Sequence, residues 1–153
     1  MSDDTLVLEK FLPYRLSVLS NRLSAAIAES YSRRFGLTIP EWRVVAVLAL
    51  DPGISAAEVA ERTAMDKVAV SRAVRRLLAT GRARREMAAG DRRRSVLELT
   101  AEGRRIYRRI TPALRSFEAA LLAGLSAREQ HLLDAILRRL ELRAHSLAPP
   151  DID

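Results

Sequence analysis

Apolar residues recur at helical spacing in two long segments, one near each end of the chain. The first stripe runs from Leu8 to Tyr31. The second stripe comprises Leu132, Leu133, Ile136, Leu137 and Leu140. Each segment therefore predicts a long amphipathic helix. Two such helices at the ends of a 153-residue chain favour pairing between two copies, giving a homodimer; the alternative is that they pack only within one subunit.

Turn and capping residues divide the rest of the chain into shorter elements. Two sequences of the capping-box type, Ser55-Ala-Ala-Glu58 and Ser126-Ala-Arg-Glu129, predict helix starts. The full set of predicted helix starts lies near Pro13, Pro40, Ser55, Asp66, Thr100 and Ser126. The predicted ends of the first, second, fourth and fifth helices lie at Gly36, Asp51–Gly53, Gly81 and about Leu122.

The third and fourth predicted helices have the pattern of a helix-turn-helix. Small residues stand where the two helices must touch, and Ala64 occupies the turn between them. At 100° per residue, one side of the fourth helix carries apolar residues that should be buried. The opposite side carries Val68, Ala69, Ser71, Arg72, Arg75 and Arg76, with no acid among them. Arginine and serine can bond bases or phosphates, and a small apolar side chain can contact a thymine methyl group. The alternative is an ordinary solvated surface.

Two short strands are predicted after this helix, over Arg82–Met87 and Ser95–Leu99. They enclose a flexible tip, Ala88–Arg94, whose run Arg92-Arg93-Arg94 suits a narrow minor groove or flanking phosphates. A charged tip is usually only solvated, but directly after a helix-turn-helix it indicates a DNA-binding wing.

Charge and composition narrow the class of function. The net charge is +7, and residues 66–94 hold ten basic and three acidic side chains, so the rest of the chain is neutral. Basic charge gathered in one segment is typical of a polyanion site. Cysteine is absent, which excludes thiolate chemistry and fits a cytoplasmic location. The N-terminus is acidic and predicts no export signal, and no apolar run is long enough for a membrane span.

Enzymatic chemistry has little support. His131 and His145 are the only histidines, they lie 14 residues apart, and no serine or carboxylate arrangement accompanies them. Phosphate-binding and dinucleotide-binding fingerprints are missing. We therefore predict no enzyme activity, no metal and no cofactor.

The stretches SAAEVAERTAMDKVAVSRAVRRLLATG and DRRRSVLELTAEG together resemble the MarR (multiple antibiotic resistance regulator) family. The resemblance implies a dimer held by the first and last helices, DNA recognition by the fourth helix and a wing in the minor groove. It also implies that Asp91 orients Arg93. One departure is Gly81-Arg82-Ala83, where the family usually has Gly-Leu-Val or Gly-Leu-Ile, which puts the packing of the first wing strand in doubt.

The resemblance further implies a small, often aromatic and anionic effector bound between the dimer helices and the winged unit. Arg15 and Arg22, seven residues apart on one side of the first helix, could hold an anion, and Trp42 could stack on a ring. The alternative is that the arginines form surface ion pairs and that Trp42 belongs to the core.

The sequence thus predicts a mainly α fold with a small β-wing, in one domain over residues 1–153. Residues 37–103 would form the winged helix-turn-helix, and 1–36 and 104–147 the dimerisation helices. Its partners would be double-stranded DNA, a second copy and an effector, with no membrane. A sequence-tolerant architectural DNA-binding protein and a protein–protein adaptor are the rival interpretations. The candidate DNA-binding residues are Ser55, Lys67, Val68, Ala69, Ser71, Arg72, Arg75, Arg76, Asp91, Arg92, Arg93 and Arg94.

Overall fold

The computed structural model describes residues 5–152; the first four residues of the acidic N-terminus and Asp153 lie outside the described part. A short 3-10 helix, Leu8–Lys10, precedes six α-helices and one hairpin. The helices are α1 (Leu12–Phe35), α2 (Ile39–Leu50), α3 (Ala56–Thr63), α4 (Lys67–Ala79), α5 (Ala101–Leu122) and α6 (Ala127–Ser146), and the strands are β1 (Ala83–Ala88) and β2 (Asp91–Leu99). The predicted mainly α fold with a small β-wing is confirmed. No helix among residues 5–152 combines the length and apolarity needed to cross a membrane.

Capping residues explain where the helices begin. Ser55 and Ser126 form the two predicted capping boxes with the glutamates three residues later. A third box, Thr38 with Glu41, opens α2 and was not among the predicted ones. Proline in the first turn of α1 and of α2 is tolerated because the N–H groups there have no helical partner. The predicted helix starts are therefore confirmed.

A tight turn separates α3 from α4. Ala64 has a left-handed backbone (φ +51°), a conformation that favours glycine, and Asp66 caps α4 by accepting the Ala69 N–H at 3.1 Å. The side chain of Thr63 bonds back to the Val59 carbonyl at 2.7 Å, within the last turn of α3. Only three residues therefore connect α3 to α4, which is the short turn that a helix-turn-helix requires.

The chain forms two compact units, one ending at Leu114 and the other beginning at Arg115. The core of the first unit is aliphatic and brings together all its long elements: side chains of α1, α2, α3, α4, β2 and the first half of α5 are buried in it. Representative fully buried side chains are Tyr31, Leu48, Val59, Leu77, Leu97 and Ile106.

The hairpin differs from its prediction at the tip. The first strand has the predicted length of six residues, shifted by one, but the second begins four residues earlier than expected, and the turn between them is only Ala89-Gly90. Ala88 pairs with Asp91, but the next pair is Met87 with Ser95, so Arg92–Arg94 bulge out of the ladder. The arginine run was predicted to lie in a flexible tip; that assignment is wrong, because the run belongs to an irregular stretch of β2.

The base of the hairpin is packed firmly, so the doubt raised by Gly81-Arg82-Ala83 is not borne out. Ala83 is buried and pairs with Leu99. The Arg82 guanidinium donates to the Phe35 carbonyl at 2.5 Å, and so binds the C-terminal end of α1. A charge-assisted hydrogen bond thus accounts for arginine where the family has an apolar residue.

The start of α5 is packed against the same strand. The Thr100 hydroxyl donates to the Gly81 carbonyl at 2.6 Å and accepts the Gly103 N–H at 3.2 Å, so Thr100 caps α5 as predicted. A Cβ on Gly103 would lie 2.1 Å from the Arg82 carbonyl oxygen. Only glycine therefore allows the start of α5 to approach the backbone just before β1 this closely.

The second unit consists of the end of α5 and all of α6. The side-chain amide of Gln130 donates to the carbonyls of Leu122 and Leu125, at 3.2 and 3.0 Å, which closes the turn between the two helices. No described residue of α6 is buried. The predicted stripe of this helix is therefore apolar and uncovered within one chain.

Replacing Gly103 by alanine should destabilise the protein by about 1–3 kcal/mol, because the added methyl group forces α5 away from the backbone of β1. Gly124→Ala is the matched control, since a Cβ there meets no atom within 4 Å. It should change stability by less than about 0.5 kcal/mol. Urea unfolding followed by circular dichroism measures both. Equal midpoints for the two variants would show that the close approach at Gly103 is unimportant.

Candidate nucleic-acid interface

The exposed side of α4 is set by the burial of its other side. Val70, Val74 and Leu77 are almost fully buried. The helical period then turns the predicted recognition residues outward: Lys67, Val68, Ser71, Arg72, Arg75 and Arg76 are all exposed. Val68 exposes 56% of its surface, although burying a valine side chain is worth about 1.5 kcal/mol or more. An apolar side chain left in water on this face fits contact with a partner.

The first turn of α4 carries a charge that the helix itself does not favour. Lys67 stands at the N-terminal end, where the helix dipole is positive, and no acid lies in that turn. The Asp66 cap offsets part of this cost. Lys67 is therefore better placed for an external anion than for the stability of the helix.

Ala69 and Arg76 are placed differently from the prediction. Ala69 is half-buried on the flank of α4 that faces α2, and does not project fully. The predicted face carries no acid of its own, but Nε of Arg76 lies 3.2 Å from a carboxylate oxygen of Glu41 in α2. Glu41 is only 2% exposed. A buried carboxylate needs a partner, so the Arg76 guanidinium is partly occupied by its ion pair with Glu41 in α2.

The arginines of the wing also differ in whether an acidic side chain binds them. Arg92 and Arg93 are exposed, and no ion pair involves either within residues 5–152. Asp91 accepts the backbone N–H of Arg93 at 2.9 Å, so the acid orients the arginine through its main chain. Arg94 is different: its Nη2 lies 2.6 Å from Oε2 of Glu58 in α3. The Arg94 guanidinium is therefore paired with another side chain of the protein, although it is exposed.

Ser55 and Glu58 connect this ion pair to the start of α3. The Ser55 N–H donates to Glu58 Oε2 at 2.7 Å, and the Ser55 hydroxyl accepts the Glu58 N–H at 3.2 Å. The Ser55 backbone, then the Arg94 guanidinium, then the Ser55 hydroxyl lower the pKa of Glu58 to about 2. Glu58 is charged throughout the neutral range, and Ser55, a candidate DNA contact, serves as a helix cap.

The base of the hairpin uses other arginines for its own stability. Arg84 bridges Glu98 at 2.7 Å and Glu86 at 3.1 Å, and Arg85 donates to the Ser95 hydroxyl at 2.7 Å. Glu98 stands directly opposite Arg84 in the ladder, so this is a cross-strand pair. The free cations of the wing are thus concentrated in the bulge, at Arg92 and Arg93.

The residues suggested for an effector are only partly brought together. Arg15 and Arg22 line one groove along the start of α1, together with Tyr14 and Glu9. Trp42 does not line that groove. Its ring lies between Tyr107, stacked at 5.8 Å, and Tyr31, tilted at 5.6 Å. The three rings join α1, α2 and α5, which is a packing role for Trp42.

Sequence reasoning missed Glu41 and Glu58 as parts of this region. The motif Thr38-x-x-Glu41 carries a capping-box signal that could have been found, and Glu58 was identified as a cap. Their arginine partners stand 35 and 36 positions further along the chain. No local pattern specifies contacts of that range.

The family model described as "MarR family" matches residues 35–94. The chain is 31% identical over 131 residues to an HTH-type transcriptional repressor of Mycobacterium tuberculosis, an alignment that covers 85% of this chain and 91% of the relative.

Two solved structures illustrate the similarity in fold. A MarR/EmrR family transcriptional regulator from Acinetobacter sp. ADP1 superposes with a TM-score of 0.85 at 23% identity, covering 93% of this chain and 100% of that one. The PcaV transcriptional regulator from Streptomyces coelicolor, solved in complex with its natural ligand, gives a TM-score of 0.71 at 28% identity, covering 92% and 98%.

Proposed function

We propose that this chain, which belongs to the MarR family of transcriptional regulators, binds a specific double-stranded DNA operator as a homodimer and represses nearby genes. The observation that carries this proposal is the exposed face of α4. Val68, Ser71, Arg72 and Arg75 stand on it without acidic partners in residues 5–152. Arg75 lies in the middle of the face, where it can reach guanine edges in the major groove. The exposed pair Arg92 and Arg93 would contact phosphates or the minor groove.

Uncovered apolar surface supports the dimer. On α1, Leu12, Leu16 and Leu19 are each at least 40% exposed. On α6, the predicted stripe Leu132, Leu133, Ile136, Leu137 and Leu140 is 37–57% exposed. Since burial of apolar surface is the main driving force for association, a second copy is the natural cover for these stripes.

The main rival is an architectural protein that binds DNA with little regard to sequence. Such a protein holds DNA through phosphates and shape, and would need cations more than an exposed valine and serine between them. The two functions differ in a measurable ratio. A regulator should prefer its operator over scrambled duplex by roughly a thousandfold or more, and an architectural protein should not.

The binding site should be an inverted repeat with half-site centres about 10 base pairs apart, because a two-fold dimer places its recognition helices in successive major grooves. Selection of bound duplexes from a random pool, followed by footprinting, measures the arrangement. Analytical ultracentrifugation gives the stoichiometry of the complex. A direct repeat, or a monomer bound at full affinity, would contradict the dimer.

Arg75→Ala should relax base preference at one position in each half-site and cost about 1–3 kcal/mol there. Arg93→Ala should weaken binding to many sequences alike and flatten the salt dependence, because phosphate contacts discriminate little. Both variants are titrated on selected and scrambled duplexes at several salt concentrations. Arg108→Ala, exposed on α5, removes the same charge from an element other than α4 and the wing and is the control. The opposite pattern, with Arg93 altering base choice, would reverse the two roles.

We further propose that an anionic, aromatic small molecule releases the protein from DNA. Support comes from the groove that contains Arg15 and Arg22, and from PcaV, a relative solved with its natural ligand. A ligand can shift DNA binding only by its different affinity for the two conformations of the protein, so it would favour a dimer whose recognition helices are badly spaced. The Trp42 ring already packs on the rings of Tyr31 and Tyr107, so the two arginines are the main candidate contacts for the ligand.

DNA binding should be unaffected by mild peroxide, because there is no cysteine to oxidise, and should weaken with aromatic carboxylates. Gel-shift titration tests both reagents on the wild type and on Arg15→Ala/Arg22→Ala, which should lose the response. The control, Arg33→Ala/Arg34→Ala, removes equal charge from α1 outside the groove. Release by peroxide would overturn the exclusion of redox control. A carboxylate response that survives in the Arg15/Arg22 variant would remove these arginines from the site.

A further inference from the structure

The three capping boxes within residues 5–152 differ in what else their glutamates bind. Glu41, in the first turn of α2, contacts Arg76 of the proposed recognition helix. Glu58, in the first turn of α3, contacts Arg94 of the wing. Glu129, in the first turn of α6, bonds only to Ser126 within residues 5–152. The two boxes in the first unit therefore tie both DNA-contacting elements to the scaffold.

Glu58 is a well-anchored point of attachment. Its Oε2 accepts the Ser55 N–H at 2.7 Å and the Arg94 guanidinium at 2.6 Å. Because the capping box fixes the rotamer of the glutamate, little further entropy is lost when the arginine binds. The pair joins residues 36 positions apart.

The segment that Glu58 holds has few other restraints. Arg92–Arg94 have no partners in the ladder, since the pairing passes from Ala88–Asp91 directly to Met87–Ser95. The Asp91–Arg93 hydrogen bond is internal to the bulge and does not join it to a helix. In the described part of the chain, the Arg94 side chain provides the ion pair between this bulge and the helix-turn-helix.

We propose that Glu58 is a positioning residue for DNA binding, which acts by holding Arg94 so that Arg92 and Arg93 lie in register with the exposed face of α4. Arg94 is then a strut between the wing and α3, and not a contact to DNA. This proposal rests on the proposed function, and it assigns to Glu58 and Arg94 roles that differ from those of the neighbouring arginines.

The proposal makes a prediction opposite in sign to simple electrostatics. A carboxylate close to a DNA interface repels phosphates, so removing its charge should tighten binding to any duplex. If Glu58 positions the wing, removing its charge should instead weaken binding to the specific site. The direction of the change decides between the two.

The test uses Glu58→Gln in the full-length protein, on a duplex selected by the wild type and on a scrambled duplex. Glutamine is also accepted at this position of a capping box, so the start of α3 is retained. We expect a loss of about 3- to 5-fold on the selected duplex, the upper part of the range of an exposed ion pair, and a loss in the same direction on the scrambled one, because the proposed phosphate contacts of Arg92 and Arg93 do not depend on sequence. Glu129→Gln makes the same substitution in a box without an arginine, and should leave both affinities within about twofold.

Arg94→Gln provides a second variant that leaves the cap intact. It should lose the same affinity as Glu58→Gln, and the double variant should lose no more than either single one, because both remove one interaction. Its salt dependence should match that of Glu58→Gln, because both variants displace Arg92 and Arg93 alike, whereas loss of a direct phosphate contact by Arg94 would reduce the slope of Arg94→Gln alone by about 0.9. Thermal unfolding of each variant shows whether the fold is retained.

Three results would overturn the proposal: tighter binding of Glu58→Gln to both duplexes, unchanged binding to the selected one, or a salt slope that is reduced for Arg94→Gln and not for Glu58→Gln. The last would make Arg94 a DNA contact for which Glu58 competes. A wild type that does not discriminate between the duplexes would refute the proposed function itself, which separates the two failures.

Discussion

Val70, Val74 and Leu77 bury one side of α4 against the core, and this burial determines how the helix is rotated about its axis. A rotation large enough to expose these side chains would cost about 1.5–3 kcal/mol for each of them. The opposite side, with Val68, Ser71 and Arg75, is therefore turned outward whatever its own preferences. The orientation of the proposed reading surface is thus a result of core packing. The left-handed turn at Ala64 then fixes the angle between this helix and α3.

The arginines of the first unit fall into two groups according to their partners. Arg76, Arg82 and Arg94 each bind an acceptor on another element: Glu41, the carbonyl of Phe35, and Glu58. These contacts connect α4, the residue before β1, and β2 to α2, α1 and α3, respectively. The other arginines on the recognition face and in the bulge have no acidic partner within residues 5–152, so their charge is free for phosphates or bases. A high content of one residue type therefore serves both stability and recognition.

The first unit has a close backbone contact at the base of the wing, whereas the second unit has an exposed apolar surface. At the base of the wing, Gly103 permits a backbone approach that no other residue allows. On α6, by contrast, the whole apolar stripe stays open to water in a single chain. The first arrangement holds the base of the wing against the core. The second is stable in water only at a cost, which a second copy of the chain would remove.

Local signals in the sequence determined the helices. Pro13, Gly36, Ser55, Asp66 and Ser126 act on backbone groups within four residues, so their effect can be derived without a fold. The period of the apolar positions likewise determined which side of α4 is buried. The resemblance to a family supplied the arrangement of the wing.

Only the tertiary structure decided which cations are free. Arg76 and Arg75 are neighbours in the sequence and look equivalent there, yet a carboxylate from α2 binds the first and not the second. In the same way, Glu58 binds Arg94 and not its neighbour Arg93. The bulge in β2 was also missed, because the pairing of Met87 with Ser95 is a register between two strands that the pattern of neither strand specifies. Partners 35 or more positions apart are brought together by packing, and no local periodicity records them.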